Sequence, residues 1–340
     1  MALEREAPIE EPGTGVEAAE TILETRGLTR HFGVGGLFSR KQLHAVDSVD
    51  LAIGAREIVA LVGESGSGKS TIARLIARVY SPTSGRILYH GRDVTRLRSR
   101  RERLEFAGRV PMVFQDPYGS LSPVYRVSHG VERALKLHQP ALTRAARRRE
   151  AERLFDAVGL SPATDFLVKY PYELSGGQRQ RVGFAQALAC RPELILADEP
   201  VSMLDVSVRI GVLNLMADLR RDMGVSILYI THDIASARYV ADRLIVMYAG
   251  QIAESGPTED VLANPKHPYT QLLLSAVPDP RAPVALPSSS TVAEPPRVID
   301  PGEGCRFRSR CPLAIDRCAT ETPRLRTLRP RHDAACHVAG

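Results

Sequence analysis

Eight residues constrain this chain more than any other stretch. Gly63-Glu64-Ser65-Gly66-Ser67-Gly68-Lys69-Ser70 fits the pattern G-x-x-x-x-G-K-[ST]. An apolar run, Ile58 to Val62, precedes it and a helix-forming stretch follows. Glycines let a backbone wrap an anion so that successive N–H groups point inward. A helix behind such a loop presents its N-terminus to the same anion. In that frame Gly63, Glu64, Ser65, Gly66, Ser67, Gly68 and Thr71 line a phosphate cradle. Lys69 reaches the β and γ phosphates of a nucleotide, and the Ser70 hydroxyl joins a Mg²⁺ shell. The alternative is an ordinary Gly-rich turn, which gives no reason for Lys and Ser to open a helix.

A strand–loop–helix unit belongs in an α/β core, and the rest of the sequence alternates accordingly. Residues 49–62 read as a strand, a turn at Ile53-Gly54-Ala55, and the buried strand Ile58 to Val62. A helix is expected over 71–80, a short strand over 86–90, and helix over 124–160. Leu194-Ile195-Leu196-Ala197 is an apolar run ending in Asp198-Glu199, followed by a helix over about 206–222 and a strand from Val225 to Ile230. Such an apolar strand is buried, so charges at its end need a purpose. Asp198 can hold Mg²⁺, directly or through water. Glu199 then stands beside the γ phosphate, where it polarises water. An acidic turn closing a strand is the plainer reading, and the phosphate loop argues against it.

Composition bounds the flanks. Hydrophobic residues at 44% and charged residues at 25% exclude a wholly disordered chain and a collagen. Residues 1–20 read as a loose leader and 21–277 as one nucleotide-binding domain without internal repeats, with a helical part over about 116–190. The segment 33–42 is a loop between two strands. Residues 278–301, with seven prolines and a serine triplet, form an arm, and 302–340 a Cys-containing, Arg-rich tail. Lys plus Arg exceeds Asp plus Glu by 45 to 39. That balance permits contact with nucleic acid or an acidic membrane face without establishing either. The seven arginines in 92–109 read as a solvated basic helix. No apolar run approaches a membrane span. Met1 to Glu6 lacks a signal-peptide core, so a cytoplasmic location is expected.

Leu174-Ser175-Gly176-Gly177-Gln178 resembles the signature motif of the ATP-binding cassette (ABC) ATPases. Its physical sense is plain: Ser175 sits where a helix can start, and Gly176-Gly177 exposes N–H groups to an anion. The resemblance implies an α/β P-loop domain with a RecA-like core, an antiparallel β subdomain and a helical signature subdomain. It further implies that Ser175, Gly176, Gly177 and Gln178 cap the γ phosphate of ATP held by a second cassette, so that each active site is split across a dimer. Gln115, in Val113-Phe114-Gln115-Asp116, resembles the glutamine that senses Mg²⁺ and couples to a membrane subunit. Ser202-Met203-Leu204-Asp205 resembles the dimer-facing loop, with Met where Ala is usual. His232, in Ile230-Thr231-His232-Asp233, resembles the switch histidine contacting the γ phosphate. Phe32 is the candidate for stacking on adenine, with Leu43 to Val46 close to the same place.

Two further segments, Lys169 to Leu174 and Asn264-Pro265-Lys266-His267-Pro268-Tyr269-Thr270-Gln271-Leu272-Leu273, resemble the oligopeptide/dipeptide (nickel) importer branch. Pro200-Val201-Ser202 is similar to the second ATPase subunit of that branch. The resemblance covers roughly residues 22–337. It implies an ATP- and Mg²⁺-dependent motor subunit, peripheral at the cytoplasmic face of the cell membrane. Its partners would be a second ABC ATPase subunit, two integral membrane permeases and an extracytoplasmic solute-binding protein, with no nucleic acid. Residues 202–209 and 229–239 resemble members assigned to oligosaccharides or β-glucosides, so peptide and sugar both stand as solutes. A soluble cassette ATPase acting on DNA or ribosomes would carry two cassettes or a coiled-coil insertion, and neither is seen.

Cys305, Cys311, Cys318 and Cys336 are separated by five, six and seventeen residues. A disulfide is disfavoured in a reducing cytoplasm. The spacing matches neither a zinc knuckle nor a ferredoxin run. By resemblance, some relatives hold a four-iron, four-sulfur ([4Fe-4S]) cluster on tail cysteines; zinc and metal-free packing stay open. Arg306, Arg308, Arg310 and Arg317 would offset thiolate charge. His332 and His337 could substitute as ligands but read as solvated side chains, and Cys190 reads as a small buried hydrophobe.

Overall fold

A computed structural model describes residues 20–35, 41–276 and 298–339. The leader, the centre of the loop 33–42 and most of the Pro-rich arm lie outside the described residues. The strands are β1 (Thr21–Gly33), β2 (Gln42–Gly54), β3 (Ile58–Val62), β4 (Ser84–Tyr89), β5 (Arg92–Asp93), β6 (Met112–Val113), β7 (Leu194–Asp198), β8 (Ser226–Thr231), β9 (Arg243–Tyr248), β10 (Gln251–Pro257), β11 (Arg326–Arg329) and β12 (His332–Ala334).

The main sheet runs β6-β7-β8-β3-β9 in parallel, then continues antiparallel through β10, β12 and β11. β3, β7 and β8 are buried along their whole length, because a parallel strand is covered on both faces. Alternation decides what each face meets. Val59 and Leu61 join Leu196, Leu228 and the helix Lys69–Ile76 beneath the second sheet. Ile58, Ala60 and Val62 face the helices of the other side with Ile195, Ala197 and Ile227. Each such Val, Leu or Ile side chain, fully buried, contributes about 1.5–3 kcal/mol. The second sheet, β2-β1-β4-β5, is antiparallel and packs Leu23, Leu28, Val46, Val49 and Ile53 inward.

Between β6 and β7 the chain is helical, including Val127–His138, Arg144–Ala157 and Gly176–Leu188. The stretch expected to be helical over 124–160 is helical as two helices, parted at residues 139–143. Pro140 cannot donate to a helical ladder. Buried Gln139 turns inward and donates to the Ala189 carbonyl at 2.9 Å, and Thr143 caps the next helix by accepting from the Ala146 N–H. The helix expected over 71–80 spans Lys69–Ile76, and Arg78 beyond it takes a positive φ.

The tail joins the main sheet through β12, which pairs with β10. That placement corrects the solvated reading of His332. It is 2% exposed, and its Nε2 lies 2.7 Å from Glu254 Oε1. Glu254 also accepts the Lys266 and His267 N–H groups. Among the described residues, no helix is long and apolar enough to cross a membrane.

Candidate nucleotide site

Parallel strands end on one edge, and the loops that leave that edge meet there. β3 opens into the phosphate loop, β7 into Asp198-Glu199, and neighbouring β8 into Thr231-His232. Adjacent strands therefore gather three segments that are far apart in sequence.

In the phosphate loop two glycines are dictated by space. A Cβ on Gly63 would sit 2.1 Å from the Met247 carbonyl oxygen, and one on Gly68 2.1 Å from that of Ala45. Both take positive φ, at 154° and 103°. Lys69, 4% exposed, spans the loop and donates to the carbonyls of Gly63 (2.7 Å) and Glu64 (2.8 Å). Burial lowers its ammonium to about 8, against the pull of Glu199, Asp198 and Glu64. Gly66, Ser65, Ser70 and Thr71 continue the loop into the helix Lys69–Ile76.

The Ser70 hydroxyl donates to Asp198 Oδ1 at 2.7 Å, bringing together two of the three side chains expected at Mg²⁺; the third, Gln115, turns its amide to Glu199. Burial raises the Asp198 carboxyl, partly offset by that hydrogen bond. A buried carboxylate with one hydroxyl partner suits a hard cation with oxygen ligands. Glu199 takes φ 46°, and its N–H donates to the Ile230 carbonyl. Its Oε2 accepts from Gln115 Nε2 at 3.0 Å and lies 3.3 Å from His232 Nδ1. The structure thus brings Gln115, Glu199 and His232 into one cluster, beside Lys69, Ser70 and Asp198.

Ser175 starts the helix Gly176–Leu188. Its Oγ accepts the Gln178 N–H, and Gln178 Oε1 accepts the Ser175 N–H. Gly177 is also a matter of space, since a Cβ there would meet Val208 Cγ1 at 2.2 Å. Phe32 lies near the end of β1 with the Arg30 guanidinium 4.6 Å from its ring centre and Tyr80 edge-on.

Behind the loop stand residues whose contacts sequence reasoning missed. Arg310 forms a two-pronged pair with the Glu64 carboxylate, both contacts 2.9 Å. The Tyr269 hydroxyl accepts the Glu64 N–H at 2.9 Å. Tyr269 belongs to the His267-Pro268-Tyr269 segment that carried the family resemblance, but nothing in that segment announced its partner. Arg306 reaches Asp47 and the Ala249 carbonyl, and Arg317 pairs with Glu321. Of Arg306, Arg308, Arg310 and Arg317, three are thus committed to carboxylates rather than to balancing thiolates. His31, His44 and Asp47 also come together, but Asp47 is taken by Arg306 and His44.

The five cysteines are free thiols. Burial pushes the Cys305 thiol up, partly offset by a backbone hydrogen bond at Phe307, with smaller upward contributions from Cys318, Cys336 and Cys311. No three of these four cysteines have sulfurs mutually within 4.8 Å. Cys190 is half-buried rather than fully enclosed, and burial raises its thiol to about 11.

The ABC transporter family matches residues 46–202, and the oligopeptide/dipeptide transporter C-terminal region matches residues 253–318. A putative peptide import ATP-binding protein of Brucella ovis is 43% identical over 315 residues, covering 93% of this chain and 97% of the relative. The oligopeptide transport ATP-binding protein AppF of Bacillus subtilis is 41% identical, covering 94% and 98%. Among solved structures, the dimeric ATP-binding cassette MJ0796 bound to ADP and Pi superposes with TM-score 0.62 at 28% identity, covering 70% of this chain and 99% of that one. The cbiO1 protein of Clostridium perfringens, part of the transporter complex cbiONQ, gives TM-score 0.62 at 25% identity, covering 72% and 92%.

Proposed function

Because the chain belongs to the ATP-binding subunits of ABC transporters, we propose that it is the motor subunit of a binding-protein-dependent peptide importer. The observation that carries this reading is the junction of β3, β7 and β8, where Glu199 is held by Gln115 and His232 one residue beyond the Ser70–Asp198 pair. The loop N–H groups and Lys69 bind the phosphates of ATP. Ser70 and Asp198 would hold Mg²⁺, which supplies charge neutralisation on the β and γ oxygens. Glu199 orients the attacking water, and Gln115 and His232 fix its carboxylate. Phe32 offers its ring to the adenine.

The signature residues Ser175, Gly176, Gly177 and Gln178 act on ATP held by a second cassette subunit. Met203, Val206 and Ile210, exposed on the segment against which Gly177 packs, supply an apolar surface for that partner. Val124, Tyr125, Val168 and Tyr172 are exposed on neighbouring segments, linked where the Val127 N–H donates to the Lys169 carbonyl. That patch suits an integral membrane permease pair, and such docking would put the subunit peripherally on the cytoplasmic face of the membrane. An extracytoplasmic binding protein delivers the solute. The ABC ATPase domain spans about 21–277, with the helical part over about 116–190. The two sequence relatives named above carry peptide-system names, and neither lends support to the oligosaccharide reading.

For the tail we infer, from the family resemblance alone, a [4Fe-4S] cluster rather than zinc or metal-free packing. Cys305, Cys311, Cys318 and Cys336 would hold it. Anaerobically purified protein should then contain about four iron and four labile sulfide per chain, whereas colourless protein lacking both removes the cluster. The transport reading is tested on the purified assembly. ATP hydrolysis should rise when binding protein loaded with di- to hexapeptides is added, and stimulation by β-linked oligosaccharides alone would overturn the peptide assignment.

A further inference from the structure

Glu64, the second residue of the phosphate loop, is held at three points. Its carbonyl accepts from Lys69, its N–H donates to Tyr269, and its carboxylate is clamped by Arg310, 246 residues away. Arg310 is itself fixed. Its side chain is 13% exposed, and its guanidinium lies 5.8 Å from the ring centres of both Tyr248 and Phe307. Phe307, 1% exposed, packs against Tyr248, Tyr269 and His267. A second strut runs beside the first. Arg306 donates to the Ala249 carbonyl, and the next residue, Gly250, donates its N–H to the Ser67 carbonyl at 2.9 Å. Both arginines lie in the run between Cys305 and Cys311, which the Cys305 N–H ties to the Cys318 carbonyl.

We propose that Arg310 is a positioning residue for ATP binding, acting through Glu64 to hold the phosphate loop in its anion-accepting shape. The physical case rests on geometry. A forked guanidinium matches a carboxylate at two points and so fixes direction as well as distance. Anchored to the Lys69 and Tyr269 contacts, Glu64 cannot turn without moving the backbone N–H groups that would face a phosphate. Mere attachment of the tail would need no contact inside the loop, because β12 and the Arg306–Asp47 pair already provide it. The cysteine module thereby becomes a mechanical extension of the nucleotide site.

This inference rests on the nucleotide-site reading above, and one experiment separates the two. Binding of a methylanthraniloyl-ATP probe to the full chain is measured by fluorescence, and KM and kcat for ATP in the assembled transporter. Probe binding by the wild-type chain that is lost in Lys69→Ala secures the site itself; no binding by the wild type overturns both. With the site secured, Arg310→Ala should weaken probe affinity and raise KM about tenfold, with kcat changed less than threefold. Arg310→Lys, which keeps the charge and stem but loses the fork, should fall between. Glu64→Gln combined with Arg310→Ala should be no worse than Arg310→Ala alone, because both act through one contact. Unchanged affinity in Arg310→Ala, or losses that multiply in the double variant, overturns the inference and leaves the site reading standing.

Discussion

The phosphate loop and the cysteine tail touch at Glu64, yet they obtain their order in opposite ways. The loop's shape is written in one contiguous run of its own residues and is only steadied from elsewhere. Gly63 and Gly68 accept backbone conformations and close approaches that no other residue tolerates there, and β3 delivers them to the sheet edge. The tail is shaped from a distance. Its short strand β12 borrows β10, and its charged side chains reach Asp47, Glu64 and Glu254. Locally dictated structure carries the chemistry here, while remotely dictated structure braces it.

The largest expected effect falls on the loop. Lys69→Ala removes a buried charge from the phosphates and should weaken ATP binding about a hundredfold, checked by probe titration. On the tail side, His332→Ala leaves the Glu254 carboxylate one partner short in a dry site. It should cost about 2 kcal/mol of unfolding free energy, measured by denaturant titration, without changing ATP affinity. Equal damage to affinity would erase the distinction between brace and site.

That distinction also explains what was legible. The phosphate loop, the acidic pair and the signature could be read because each is a contiguous pattern whose spacing is the mechanism. The parallel strands could be read because burial on both faces leaves unbroken apolar runs such as Leu194 to Ala197. His332 and the tail arginines could not, since a lone polar residue does not reveal a partner 78 or 246 positions away. The break at Pro140 did leave a local trace, in the proline and in the capping Thr143.

A smaller effect distinguishes charge from shape. Lys69 titrates near 8 in the free loop, and the phosphates favour its protonated form. Apparent ATP affinity should therefore fall as pH rises from 7 to 9, roughly tenfold if the bound form stays charged. A flat profile would mean that loop shape, not this ammonium, dominates. Least of all, Tyr269→Phe removes only the acceptor for the Glu64 N–H and should weaken affinity about threefold. A loss matching Lys69→Ala would make the brace as important as the charge.

Steady-state ATP hydrolysis by the assembled transporter carrying Glu199→Gln, with ATP binding followed in parallel, bears on the whole reading at once. Turnover should fall about 10²- to 10⁴-fold while the nucleotide still binds. Turnover within twofold of wild type would mean that the carboxylate held by Gln115 and His232 does not position the water.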